Sequence, residues 1–318
     1  MSKIAFIFPG QGAQYIGMGK ELFENIEVCK NIFKIADKEL GFELSKLCFE
    51  GTQEELNITE NTQPAILTTS IAALMALAQH GIKCDVTAGL SLGEYSALVC
   101  SGVMDFVDAV KLVKKRGKFM QEAVPVGIGT MAAIIGLTTG CVEEICSEAR
   151  TSGIVEISNL NCPGQIVIAG EIVAVEHACA AAIEKGARKA VILPVSAPFH
   201  TSMLKPAAEK LEIELKNINL KEMTIPVMSN VNGDYVKSKG DIKSNLKLQV
   251  MSSVLWETII RNMIKDGVDT FVEIGPGKVL RGFIKNIDRK LTVVNVEDMA
   301  SLDKAVSTLN KVVQLHKQ

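Results

Sequence analysis

Asp85-Val86-Thr87-Ala88-Gly89-Leu90 runs directly into Ser91-Leu92-Gly93-Glu94, and the character of the chain changes at the serine. Asp85 to Leu90 is a short, largely apolar run, which predicts a buried strand. Glu94 to Cys100 follows as a helix with no linker. A strand passing straight into a helix is the βα unit of a parallel sheet. Between them lies Gly89-Leu90-Ser91-Leu92-Gly93, a Gly-x-Ser-x-Gly turn. Glycines two residues either side of a serine permit a tight turn and close backbone approach. The Ser91 hydroxyl would then stand at the top of the sheet, as in a nucleophile elbow. A turn that merely joins strand to helix would carry the same residues.

Outward from this stretch the same alternation continues. Lys3 to Phe8 reads as a buried strand ending at Pro9-Gly10, and residues 19–50 alternate helical patterns with turns. Gln63 to Gln79 carries no charge, so its helix should be buried on nearly all sides. Asp105 to Gln121 is a further helix. Continuous apolar strands separated by helices predict a parallel sheet covered on both faces. The middle differs: strand Gly129 to Leu137, helix Cys141 to Arg150, strands Val155 to Asn159 and Gln165 to Ala169, helix Ile172 to Lys185, strand Lys189 to Val195. That β-α-β-β-α-β order is ferredoxin-like. Then come helix Leu204 to Leu215, strand Ile225 to Ser229, helix Ser253 to Asp266, strand Thr270 to Ile274, a helix after Gly275-Pro276-Gly277, and a last strand Thr292 to Val296. An α/β protein is expected. Its large domain (1–125 and 197–318) is interrupted by a small one (126–196).

Composition narrows the function. Lys and Arg number 34 against 36 Asp and Glu, a formal net charge of -2. That balance lacks the basic excess of a nucleic-acid surface. A hydrophobic fraction of 47% over 318 residues supports a large core and excludes disorder. The apolar run Ile4 to Phe8 falls short of the roughly 7–15 residues of a secretory signal. No stretch reaches the ~18 apolar residues of a membrane span. Eight scattered cysteines without a CxxC predict reduced thiols in a cytoplasmic protein.

A serine nucleophile needs a base, and the chain has four histidines. His80 ends an apolar helix, His177 sits in the Ala-rich helix of the insert, and His316 lies in the polar tail. His200 follows an apolar strand where the chain re-enters the large domain, in a loop able to overhang Ser91. No HxxH or HExxH occurs, so no metal is expected. Arg116 is out of place. At 100° per residue, Ala109, Leu112, Val113 and Met120 fall on one face of their helix, with Lys111, Lys114, Lys115 and Lys118 opposite. Arg116 lies within the apolar stripe. A buried guanidinium needs an anion or several acceptors. An internal carboxylate and a substrate carboxylate both satisfy that need. Pro9-Gly10-Gln11-Gly12-Ala13-Gln14 is not a nucleotide loop. GxGxxG fails at Tyr15, and Gly19-Lys20 lacks both the upstream Gly and the Ser/Thr of a P-loop. The glycines suit a loop approaching the elbow, where the N–H of Gln11 could join that of Leu92 in an oxyanion hole.

Together these residues resemble the malonyl-CoA:acyl carrier protein transacylase family. Pro9-Gly10-Gln11-Gly12-Ala13-Gln14 is similar to its PGQGxQ motif, Gly89-Leu90-Ser91-Leu92-Gly93-Glu94 to GHSxGE, and Arg116-Gly117 with Met120 to RGxxM. Asn161-Cys162-Pro163-Gly164-Gln165 resembles NxPxQ, and Ala197-Pro198-Phe199-His200 the catalytic-histidine segment. Gln249 with Trp256 resembles QLxxPVxW, and Gly275-Pro276-Gly277 with Leu280 completes a set that keeps motif order over nearly the whole chain. Two positions depart: Leu90 stands where the family has His, and the Gln249–Trp256 stretch lacks the usual Pro.

The resemblance implies an α/β-hydrolase-like large domain with a ferredoxin-like insert. It implies that Ser91 carries the malonyl ester and His200 is the base. Gln249 would orient His200 through its backbone carbonyl, Gln11 and Leu92 would supply the oxyanion N–H groups, and Arg116 would grip the malonyl carboxylate. The partners implied are malonyl-CoA and a holo acyl carrier protein, with no cofactor, metal, nucleic acid or membrane, and a monomer is expected. The other activities to weigh are a polyketide acyltransferase and a serine thioesterase or hydrolase. Lys278, Arg281 and Lys285 recur at helical spacing and suggest a basic stripe for an acidic carrier.

Overall fold

With one exception, each apolar run bounded by turn residues is a strand in the computed structural model, which describes residues 3–195 and 197–315. The strands are β1 (Lys3–Phe8), β2 (Val86–Gly89), β3 (Gly129–Ile135), β4 (Val155–Cys162), β5 (Gln165–Glu171), β6 (Lys189–Ile192), β7 (Val268–Ile274) and β8 (Thr292–Val296). They form two sheets, in the orders β2-β1-β7-β8 and β4-β5-β3-β6.

The first sheet is parallel throughout. Side chains alternate across a strand, so β1 sends Ile4, Phe6 and Phe8 into one core and Ala5 and Ile7 into a second. Both faces are thereby covered, as an all-parallel sheet requires. The nearly uncharged helix Thr59–Ala78 packs inside the first core, with Ala65, Ile66, Leu67, Ala72 and Ala73 fully buried. The second sheet is antiparallel. β5 lies between β3 and β4, and β3 lies between β5 and β6. Each β-α-β unit of the insert is therefore split by a third strand, the ferredoxin-like arrangement.

The exception is Ile225 to Ser229. Pro226 offers no N–H to a ladder, and the segment makes a single parallel bridge, Val227 to Thr87, before Met228 turns back to Tyr235. It is a bridge at the edge of β2, not a strand. Three helices carry no counterpart in the sequence reading: the short Gln53–Asn57 and two longer ones. Lys239–Gln249 is opened by Ser238, whose N–H and Oγ both donate to Asp241 Oδ2 (3.1 and 2.9 Å). Met299–Leu315 starts where Ser301 N–H donates to Asp298 Oδ1 (2.8 Å). His316, placed in a polar tail, lies outside the described residues. Among the described residues no helix is long and apolar enough to cross a membrane. All eight cysteines are free thiols.

Candidate active site

In an open parallel sheet the functional crevice lies beyond the carboxyl ends of the strands. Here β1 ends in Pro9–Ala13, β2 in Leu90–Leu92, and β7 in the Gly275–Gly277 turn, which leads to the helix Val279–Ile287. Pro9–Ala13, Leu90–Leu92 and, beyond the turn, Val279, Leu280 and Phe283 of that helix line one cavity of about 220 Å³. The antiparallel sheet closes it from the other side with Met131, Asn159, Asn161 and Val167. The cavity therefore lies between the two sheets.

The elbow is as tight as its glycines suggest. A Cβ on Gly89 would lie 1.9 Å from the carbonyl carbon of Gly93, and one on Gly93 would lie 2.1 Å from the Phe8 carbonyl oxygen. The first clash would push β2 away from the helix that follows it, and the second would push that helix away from the end of β1. Ser91 and His200 are the non-glycine residues with positive φ among the described residues, at 52° and 63°. Such backbone persists only where its surroundings hold it. Asn230 does this for Ser91: its Oδ1 accepts from Ser91 N–H (2.6 Å), while its Nδ2 donates to Gly89 O (2.7 Å).

The structure brings Ser91 and His200 together, with Ser91 Oγ 2.7 Å from His200 Nε2. His200 Nδ1 is 2.7 Å from the carbonyl oxygen of Gln249. A carbonyl only accepts, so the proton sits on Nδ1 and Nε2 is left to receive the serine proton. Burial, followed by the nearby Arg116 charge, pushes the His200 pKa down to about 4, so the ring is neutral near pH 7. His80 and His177 are exposed elsewhere.

Arg116 is 1% exposed. Its Nη1 donates to Gln63 Oε1 (2.9 Å). Its Nη2 donates to Gln249 Oε1 (2.9 Å) and Ser91 Oγ (3.2 Å). The guanidinium carbon stands 5.4 Å from the Tyr95 ring centroid, and Nε has no partner. Every one of these acceptors is neutral, and none of the ion pairs among the described residues includes Arg116. Burial lowers the Arg116 pKa from its usual value. Lys111, Lys115 and Lys118 of the same helix pair with Glu39, Glu214 and Glu122 on the outside, as the periodicity predicts.

Gln11 and Leu92 line the same cavity as Ser91. The Leu92 amide stands at the start of the helix Gly93–Cys100, where N–H groups point out of the helix end. Leu90, in the place of the family's His, lines the cavity beside them. No group of three or more potential metal ligands occurs among the described residues.

Two residues were not singled out by sequence reasoning. Asn230 lies in a turn that shares no motif with the elbow it supports. Glu94 is the last residue of the GHSxGE-like stretch, and its buried Oε2 accepts from Gln249 Nε2 (2.6 Å) and Asn230 N–H (3.2 Å). The basic stripe, by contrast, is largely engaged. Lys278 Nζ lies 2.8 Å from Glu297, and Lys285 Nζ donates to the carbonyls of Leu291 and Arg289 (2.6 and 3.1 Å).

The chain that builds this cavity matches known proteins over nearly its whole length. Residues 5–311 match the acyl transferase domain family. The chain is 50% identical over 312 residues to a malonyl CoA-acyl carrier protein transacylase of Bacillus subtilis (strain 168), covering 98% of each. The solved malonyl CoA-acyl carrier protein transacylase of Clostridium perfringens superimposes with a TM-score of 0.96 at 52% identity, over 100% of both chains. A malonyl-transacylase solved in complex with its holo type II PKS acyl-carrier protein superimposes at 0.94, with 42% identity over 96% of this chain and 100% of that one. Identity at this level over whole chains leaves one assignment: the chain belongs to the acyl transferase family, among the malonyl CoA-acyl carrier protein transacylases.

Proposed function

We propose that this chain moves the malonyl group from malonyl-CoA to the phosphopantetheine thiol of a holo acyl carrier protein, through a malonyl ester on Ser91, for fatty acid synthesis. The observation that carries the acyl preference is Arg116: a buried cation in the Ser91 cavity, hydrogen-bonded only to neutral acceptors. A substrate carboxylate supplies the missing anion. His200 Nε2 takes the Ser91 proton as Oγ attacks the thioester carbon. The N–H groups of Gln11 and Leu92 receive the charge that develops on the carbonyl oxygen. The tetrahedral intermediate expels CoA as its thiol, with the proton returned from His200. The carrier thiol then attacks the acyl-Ser91 ester by the reverse route. One thioester replaces another, so the cycle needs neither ATP nor a metal. The chain is assigned to the cytoplasm, consistent with its eight free thiols. Its division into 1–125 with 197–318 and 126–196 follows the two sheets, with the cavity between them.

Arg116→Ala tests this. Losing a charged, bidentate contact should lower kcat/KM for malonyl-CoA by roughly 10²-fold, about 2.7 kcal/mol. Acetyl-CoA has no carboxylate, so its rate should fall far less. Arg116→Lys should restore little, because an ammonium lacks the planar fork. An unchanged malonyl-to-acetyl ratio together with a lower Tm would make Arg116 a structural residue.

The relative solved with a type II PKS acyl-carrier protein favours a second carrier class for the same geometry. Transfer rates to purified fatty-acid and polyketide carriers separate the two.

A further inference from the structure

Arg116 has no carboxylate against it, yet a bare buried cation is unfavourable by many kcal/mol. Its charge is balanced one amide away. Gln249 is fully buried; its Oε1 accepts from Arg116 Nη2 (2.9 Å), and its Nε2 donates to Glu94 Oε2 (2.6 Å). The same Nε2 also donates to Ser91 O (3.0 Å). Glu94 is 2% exposed and does not line the cavity. It cannot touch substrate, but through one side-chain amide it is joined to the group proposed to grip the acyl carboxylate.

Resting on that role for Arg116, we propose that Glu94 is the internal counter-ion of Arg116, and that Glu94 and the acyl carboxylate compete for the same positive charge across Gln249. A malonyl group arriving at Arg116 brings a second anion into one buried site. The two anions disfavour one another, and the site relieves this by taking a proton onto Glu94. Linkage makes the effect reciprocal: whatever the malonyl carboxylate does to the ionisation of Glu94, ionised Glu94 does to the hold on malonyl. Glu94 is thus a positioning and specificity residue. It weakens the grip on the charged acyl group, which must leave again for the carrier.

Proton uptake can be read near neutrality. Burial pushes the Glu94 pKa up to about 7, against the opposing pull of Gln249, the Asn230 amide and Arg116. The other titratable groups facing this cluster are silent there. Burial holds Tyr95, on the same helix, at about 12. His200 stays near 4, and Arg116, although lowered, is the cation itself. Glu273 also titrates near 7, but it caps the helix Val279–Ile287 by accepting from Leu280 and Arg281 N–H. None of these hydrogen bonds reaches Arg116, Gln249 or Glu94, so any step that Glu273 causes survives in Glu94→Gln and is told apart there. A malonyl carboxylate is already ionised at pH 6.

The test is the equilibrium of acyl-enzyme with acyl-CoA and free CoA, read by intact-protein mass spectrometry at pH 6 and pH 8, with malonyl-CoA and acetyl-CoA in parallel. The acetyl arm removes every pH effect common to both, including thiol ionisation. In the wild type, the malonyl-to-acetyl loading ratio should fall by roughly fivefold or more from pH 6 to pH 8. Glu94→Gln, which keeps an acceptor for Gln249 and removes the charge, should abolish that step and hold the ratio at its high value. Glu94→Asp should retain a step. A wild-type ratio that does not change with pH overturns the proposal, even if the Gln variant fails to fold. So does a Glu94→Gln variant that keeps the full step. Failure of the carboxylate role of Arg116 shows separately, as an Arg116→Ala enzyme whose malonyl-to-acetyl ratio at one pH equals that of the wild type.

Discussion

Ser91→Ala is expected to abolish covalent loading. After mixing with malonyl-CoA, the wild type should gain one malonyl group by intact-protein mass spectrometry, and the variant none. Turnover should drop by a factor on the order of 10⁴ or more, since without the hydroxyl no ester can form and the two-step route is lost. The substitution is well suited to the question because it leaves the turn intact. Alanine keeps the Cβ that already tolerates φ 52° here, and the hydrogen bond from the residue 91 N–H to Asn230 Oδ1 is a backbone one. What disappears is the Oγ that lies 2.7 Å from His200 Nε2 and 3.2 Å from Arg116 Nη2. The Tm should therefore change little. An adduct of equal yield on the alanine variant would move the nucleophile elsewhere.

How much of this was legible in the chain depends on how local each signal is. The elbow was legible because its strand, glycines and helix are contiguous, and the close approach of Gly89 to Gly93 is a constraint within five residues. Arg116 stood out because a helix repeats every 3.6 residues and one charge broke the apolar stripe. The insert's split β-α-β units followed from element order. Ile225 to Ser229 misled because an apolar run says nothing about whether a neighbouring strand edge remains free, and Pro226 limits the ladder to one bridge. Three helices were missed although Thr52 with Glu55, Ser238 with Asp241 and Asp298 with Ser301 are start signals of the capping kind. Met299–Leu315 also shows Leu302, Ala305 and Leu309 on one buried side. Asn230 and the partnership of Glu94 with Gln249 had no readable signal. Their residues lie 136 and 155 positions from their partners, and only the folded chain brings them within hydrogen-bond reach. The basic stripe is a local signal too: spacing puts three cations on one helix, and the fold adds only that Lys278 pairs with Glu297 and Lys285 with two carbonyls.

His200→Ala should slow formation of the malonyl-enzyme by roughly 10²–10⁴-fold while the protein stays folded. The geometry leaves little choice of base. The Gln249 carbonyl holds the ring by Nδ1, so Nε2 presents its lone pair to Ser91 Oγ at 2.7 Å. A carbonyl carries no net charge, so it orients the ring while raising its basicity less than a carboxylate would, and burial outweighs it. Burial and the Arg116 charge then hold the His200 pKa down to about 4. Two pH effects follow, with signs that can be worked out. The neutral base persists as pH falls, so the acid limb of kcat/KM for acetyl-CoA should lie near 4 and not near 6.5, the ordinary histidine value. Acetyl-CoA is the right substrate, since it carries no carboxylate of its own. Stability moves the other way. Between pH 6.5 and 4 the unfolded chain binds a proton at residue 200 that the folded chain refuses, so the fold loses stability as pH falls through that window. His200→Ala should remove this part of the loss, and its Tm should fall less steeply than that of the wild type from pH 7 to pH 4.5. Near-full activity in His200→Ala, with activity lost instead in His80→Ala, would show that the base is a different histidine. An acid limb at 6.5 would show that the ring is better solvated than its burial between the two sheets implies.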